Sequence, residues 1–190
     1  FEGHLTGPLG RSKRTSFLIS AEREEEDLRS LIYARTPAGL VQQQGPNPRR
    51  DSEISARLMH RSSGKTAWSF GYEQERTSES GAGVGGFKLP EAASDQSGRE
   101  QAVYLRWQSS PAPALIHLLQ ARLRSSEDRT LARLPDVLRI VVVDAFTGGG
   151  AQSDRWERDW RGELSDVLSL ARGRHLLKVG ITIRDLGRRS

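Results

Sequence analysis

Residues 139 to 150 read Arg-Ile-Val-Val-Val-Asp-Ala-Phe-Thr-Gly-Gly-Gly, a β-branched apolar run, one carboxylate and three consecutive glycines. Four β-branched residues in succession suit a strand covered on both faces. Gly148, Gly149 and Gly150 allow bare backbone to approach a phosphate, and Asp144 at the strand exit can hold a water of Mg²⁺. The flanks agree with that chemistry: a strand over 138–143 precedes it, and Asp154 with Glu157 forms a capping pattern that opens a helix behind it.

Two other glycine motifs lack such a setting. Gly64-Lys65-Thr66 matches the end of a P-loop, but Met59 stands where its first glycine belongs, and the alternating Trp68, Phe70 and Tyr72 follow instead of a helix; the segment reads as a hairpin turn. Gly81, Gly83 and Gly86 satisfy GxGxxG, yet neither a buried strand before them nor a helix after them is expected, with Pro90 close behind. His4, His60, His117 and His175 are too far apart to pair on one helix face around a metal. No cysteine is present, which removes disulfides, thiolate zinc sites and cysteine nucleophiles.

The elements that must position Asp144 follow from periodicity. Ser16 to Ser20 forms a short strand, and a helix with an acidic first turn, Glu22 to Asp27, carries Leu28, Leu31 and Ile32. Residues 36–50 form a loop rich in proline and glycine. Ile54, Ala56 and Leu58 then Trp68, Phe70 and Tyr72 alternate with polar neighbours as two strands of a hairpin, with the aromatics as core anchors. Residues 73–100 form a long flexible connection. Val103, Leu105 and Trp107 mark another strand, 111–124 a helix by its Leu115, Leu118, Leu119 and Arg122 spacing, 138–143 the buried strand, 154–173 a helix on Trp156, Trp160, Leu164, Val167, Leu168 and Ala171, and 175–183 a closing strand. Strand, glycine turn, helix, strand over 138–183 is the order of a βαβ unit, so the expected class is α/β, a mixed sheet with flanking helices, as one domain over 1–190 or a fragment of one. The chain begins at Phe1 rather than Met, as a fragment would.

The 190 residues carry a net charge of +5, with 35% hydrophobic residues and a mean hydropathy of -0.59. Only four of the 29 basic residues are lysines, and the arginines are scattered among acids without a block of five, so nucleic acid is not an expected partner. No apolar run reaches the roughly 20 residues of a helical span, and no signal-peptide core is evident. The expectation is an intracellular, cytoplasmic chain without a membrane partner.

Val142-Val143-Asp144-Ala145 with Gly148-Gly149-Gly150-Ala151 and Asp154 resembles the second phosphate motif of the seventy-kilodalton heat-shock protein family, in its divergent fungal form. Ser52-Glu53-Ile54-Ser55 and Trp68-Ser69-Phe70-Gly71-Tyr72-Glu73 resemble that family's preceding strand pair, and Phe87-Lys88-Leu89 its catalytic-lysine segment. The resemblance implies an actin-like ATPase fold and a chaperone-type nucleotide domain that binds ATP and Mg²⁺. It gives Lys88 and Asp144 as catalytic residues, Asp144 as the metal ligand through water, and Gly148, Gly149 and Gly150 as the phosphate cradle. Phe146 and Thr147 stand between Asp-Ala and the glycines, and Ala151 replaces the family's threonine. The first glycine turn and the catalytic Glu segment are absent. The implied domain is therefore truncated or degenerate, weakly active or inactive.

Two other readings remain open. Val143-Asp144-Ala145-Phe146-Thr147-Gly148 also resembles the strand end of spermidine-synthase-like proteins, which points to an aminopropyl- or methyltransferase-like enzyme. A non-catalytic interaction module would instead use the basic surface and residues 73–100 to engage protein partners.

Overall fold

Every element longer than three residues is a β-strand. The computed structural model describes residues 1–151, 154–184 and 188–189. Eight strands form the main path: β1 (Glu2–Leu9), β2 (Thr15–Thr36), β3 (Gly39–Ser63), β4 (Thr66–Ala82), β5 (Ser94–Ala112), β6 (Leu115–Ala132), β9 (Arg155–Arg172) and β10 (His175–Ile183). They lie side by side in chain order and every pairing is antiparallel. The short β7 (Ile140–Val142) and β8 (Phe146–Gly148) form a separate hairpin, and β11 (Arg188–Arg189) pairs with β9.

The expected α/β class, a mixed sheet with flanking helices in an actin-like ATPase frame, is overturned: no α-helix occurs among the described residues. The three helices expected over 20–32, 111–124 and 154–173 are parts of β2, of β5 and β6, and of β9. The reason is arithmetical. A spacing of four residues, as in Trp156, Trp160, Leu164 and Leu168, lies on one face of a helix and also on one face of a strand, because four is even. Neighbouring strands supply hydrogen bonds along almost the whole of β9, so tertiary pairing decides. Asp154 does not cap a helix; its carboxylate accepts the Ala132 amide at 2.8 Å, and Gly173, at φ 63°, sits in the β9–β10 turn.

Segments expected as loops are strand too. Residues 39–50 belong to β3, and of 73–100 only 83–93 lies outside β4 and β5, including one 3₁₀ turn at Pro90–Ala92. The hairpin expected at residues 62–65 is present, with Ser63 opposite Thr66, and 175–183 is the expected strand.

The two ends of the sheet differ. At one end the strands are joined by residues 10–14, 64–65, 113–114 and 173–174. At the other, the β2–β3 hairpin projects beyond its neighbours, and the connections 83–93 and 133–154 are long. The buried cluster lies at this long-loop end: Ile32, Ala34, Val84, Leu89 and Ala93, with Val41 and Phe146 against them. Backbone bonds from Tyr33 N to Gly86 O, Gly86 N to Leu31 O and Arg35 N to Ala145 O cover the outer edge of β2 there, which an exposed strand edge requires. Asp95 pins the β4–β5 irregularity by accepting from Gly81 N at 2.9 Å and Ser80 Oγ at 2.8 Å. These bonds, that from Gly81 first, hold its carboxyl below the usual range.

Elsewhere the sheet is bare. The accessible surface is 13457 Å², against roughly 9,000 Å² for a folded globular chain of this mass. Ile32 is the one large side chain fully buried among the described residues. The aromatics expected as core anchors are not in a core: Trp68, Phe70 and Tyr72 share one face of β4, and Phe70 is 47% exposed.

Close packing does occur on the opposite face, where Tyr104 lies over Gly71 on the neighbouring strand and a Cβ at Gly71 would overlap its ring. Arg57 holds the ring by donating Nε–H to the Tyr104 hydroxyl at 2.7 Å, its guanidinium 5.4 Å from the ring centre. Gly71→Ala therefore forces the ring aside and costs about 1–2 kcal/mol, whereas in a Tyr104→Ala background the same change costs close to nothing. Denaturant midpoints of the four variants in this cycle test the notch; equal costs in both backgrounds would remove it.

Candidate functional site

The fold sets the sequence-predicted site residues in three places: Asp144 at an exposed turn, the glycines against backbone carbonyls, and Lys88 on the segment that pairs with Thr147. Ile140 to Val142 are exposed, not buried, and Val143 is 80% exposed. Asp144 is the tip residue of the β7–β8 turn, exposed and at φ 56°, a left-handed conformation that Asp tolerates; Ala145 N closes the turn onto Val142 O at 3.1 Å. The glycines are required by packing. A Cβ at Gly149 or Gly150 would strike the carbonyl oxygens of Leu138, Leu134 and Val137, and Gly150 N is spent on Val137 O. The Glu91 carboxylate lies against Gly148. Carbonyl and carboxylate oxygens around a glycine turn repel a phosphate, so these three residues do not form an open anion cradle here.

Lys88 meets this segment through its backbone, while its ammonium lies against Gly83. The residue forms a parallel bridge with Thr147, flanked by Thr147 N to Phe87 O at 2.8 Å and Leu89 N to Thr147 O at 2.9 Å. Partial burial, and secondarily the charge of Arg139, push the Lys88 ammonium below the usual lysine value. Among the described residues no group of three or more His, Asp or Glu is gathered that could hold a metal ion.

The feature that sequence inspection missed is the division of the sheet into two faces. Side chains alternate across a strand, and the register fixes which ones share a face. On one face Phe17, Leu58, Phe70, Leu105, Ala121, Leu164 and Ile183 stand in a single row across β2, β3, β4, β5, β6, β9 and β10. The next row on that face is Leu5, Ile19, Ala56, Tyr72, Val103, Leu123 and Gly162. On the short-turn side of these rows lie Trp68, Trp107, Leu119 and Ile181, with His60 against Trp68 and His117 edge-on to Trp107 at 5.0 Å. Asp166 is the acidic exception in this belt, and it is paired with His117 at 2.5 Å. On the long-loop side the belt gives way to a mixed row, Ala21, Ile54, Gln74, Gln101, Ser125 and Trp160, and then to a charged row: Arg23, Ser52, Arg76, Arg99, Glu127 and Arg158. Trp156 and Trp160 flank it, the first donating to Glu127 at 3.0 Å, the second beneath the Arg158 guanidinium.

The opposite face is polar in the same rows. Ser16, Met59, Ser69, Arg106, Gln120, Ser165 and Thr182 make one row, and Leu18, Arg57, Gly71, Tyr104, Arg122 and Glu163 the next. Farther toward the long loops Glu22, Glu53, Glu75, Glu100, Ser126 and Asp159 form a row of carboxylates. A few apolar residues, such as Leu18, Leu118, Val167 and Leu176, interrupt this face without forming a belt. The register irregularities at 61–63, 79–82 and 109–112 all lie outside these rows. The buried cluster sits on the polar side, because Ile32 and Ala34 share the parity of Ser16 and Leu18 on β2.

No helix of the described residues is long and apolar enough to cross a membrane. No protein-family model matches the chain, and neither a curated protein nor a solved structure matches it.

Proposed function

We propose that this chain is a stretch of the wall of a membrane-spanning β-barrel of the outer-membrane type, with its apolar face toward lipid and its polar face toward the lumen. The observation that carries the reading is the apolar belt, aligned by register across the eight strands and exposed to solvent: Leu5 61%, Leu105 41%, Leu123 53%, Ile181 63%. In water such a face is an aggregation surface, far larger than the few hundred Å² that soluble monomers leave bare. In a bilayer it is the required exterior.

Four further features support it. The belt spans 11 residues on β9, Trp160 to Leu170, and nine on β6, Leu115 to Leu123; a tilted strand needs about 9–11 residues to cross the hydrocarbon. Trp and His side chains lie at one border, and Trp with Arg at the other, where amphipathic rings and long cationic stems suit the headgroup level. Connections are short at one end and long at the other, the asymmetry of outer-membrane barrels. Finally, β1 and β10 each have a single partner along the strand order, and barrel closure, with each other or with further strands, is what removes such edges. The protein partners of this reading are those strands and a lipid surface, in place of the cytoplasmic setting expected from the lack of a helical span.

The chain, diluted from denaturant into phospholipid vesicles, should gain strand structure and float with the lipid. Val103→Arg or Leu123→Arg should weaken insertion by about 2–4 kcal/mol, while Gln120→Arg on the polar face changes it little. A chain that is monodisperse and folded in buffer without lipid or detergent, and ignores vesicles, would overturn the reading.

A second reading keeps a nucleotide phosphate at the long-loop end, resting on the partly buried Lys88 ammonium, which lies against Gly83 rather than against Gly148. It needs no actin-like frame. ATP with Mg²⁺ supplies a polyphosphate for the Lys88 ammonium, so calorimetry with Mg-ATP should give saturable heat that Lys88→Met removes; heat that is absent, or unchanged in that variant, would discard it.

A further inference from the structure

We propose that the hollow at the short-turn end of the polar face, walled by Lys13, Arg14, Arg61 and Arg106, is a binding site for an oxyanion of two or more negative charges, such as a phosphate ester or pyrophosphate. It rests on the barrel reading only for its position at a lumen mouth.

The hollow measures about 540 Å³, and none of its twelve lining residues is acidic. Seven arginines outside it are paired with a carboxylate: Arg23 with Glu25, Arg49 with Asp51, Arg122 with Glu73, Arg124 with Glu100, Arg133 with Asp95, Arg155 with Glu157 and Arg161 with Asp159. Arg14, Arg61 and Arg106 have no side-chain ion pair or hydrogen bond among the described residues. The hydroxyls of Ser12, Ser16 and Ser69 and the amide of Gln108 add neutral donors, and Met59, His60, Ala67 and Trp68 make up the rest of the lining.

Register explains how the cations converge. Arg106 stands directly across from Ser69, and Ser69 from Met59, whose same-face neighbour two residues on is Arg61. Arg61 N donates to Arg14 O at 2.8 Å, which ties the 10–14 turn to the end of β3. Lys13 holds φ 52°, an uncommon conformation for a residue other than glycine and a sign that the turn is fixed by its surroundings. The four cations are exposed and line one hollow, so an anion that enters from solvent meets them together. A guanidinium fork matches two oxygens of a phosphate or carboxylate at once. The carboxylate row of Glu22, Glu53, Glu75 and Glu100 lies several residues up the same face, so the field along the face drives an anion toward this end.

Phosphate chemistry has two sources here, a soluble solute and a lipid headgroup at the rim. The test titrates the whole chain, folded in uncharged detergent micelles, with inorganic pyrophosphate at low salt. Saturable binding is expected, weakened roughly tenfold or more by Arg61→Gln with Arg106→Gln and weakened again by added salt. Arg174→Gln removes a cation at the same end but outside the hollow, and should leave the affinity within about twofold. Repeating the titration in vesicles separates the sources. Loss of pyrophosphate binding only when anionic phospholipid is included identifies a headgroup, and unchanged binding identifies a solute; either supports the site. Absence of saturable binding, or equal loss in Arg174→Gln, overturns it. Circular dichroism of each variant confirms strand structure, and flotation is read separately, so a chain that binds pyrophosphate yet fails to insert refutes the barrel and keeps the site.

Discussion

A side-chain period of two, locked in register across eight hydrogen-bonded strands, is the constraint on which the rest of this protein depends. Antiparallel bonding fixes Phe70 opposite Leu105 and Tyr104 opposite Gly71, and with those pairs it fixes the face of every other residue in both strands. A slip of one residue would exchange the two faces, putting Arg57, Arg106 and Arg122 into the belt and Phe70, Leu105 and Leu123 among the charges. The irregularities are therefore confined to the ends, where they aim loops without disturbing the belt.

The same constraint explains why the buried cluster of the described residues is small and off-centre. A sheet of one layer cannot bury either face by itself, so the cluster around Ile32 forms where the 83–93 and 133–154 connections fold back over the β2–β3 hairpin. The remaining apolar surface needs an outside solvent. The polar face carries its own logic, with carboxylates toward the long loops and unmatched arginines toward the short turns, a separation of charge that gives the face a direction.

How much of this was legible in the sequence depends on the segment. Ile54 to Leu58, Trp68 to Tyr72, Val103 to Trp107 and 175–183 alternate openly and are strands as expected, and the turn at residues 64–65 is where glycine and lysine suggested it. The segments misread as helices mix spacings of four, which fit both periods, with apolar residues on both strand faces, such as Leu115 and Leu118 or Leu164 and Val167, which imitate a helical stripe; Glu22 to Asp27 is polar on both faces and so carries no period at all. Pro46 and Pro48 made β3 look like a loop, yet this part of β3 lies beyond the pairing with β4, where a missing N–H can go unpaired. At the candidate nucleotide site, the glycines were read as room for a phosphate; at Gly149 and Gly150 the groups that approach are the carbonyls of Leu134, Val137 and Leu138. The belt itself was invisible for a different reason. Each strand contributes only three or four apolar residues, and they add up only when the register is known.

The absence of cysteine makes the central claim directly measurable, because single cysteines can be placed without competing labels. Nitroxides attached one at a time from His117 to Leu123 along β6, with the chain in vesicles, should alternate: odd positions, on the face of Leu119, Ala121 and Leu123, exposed to lipid-soluble oxygen, and even positions, on the face of Gln120 and Arg122, exposed to a water-soluble nickel chelate. Labels that meet the chelate equally at odd and even positions would contradict a wall with one face in lipid.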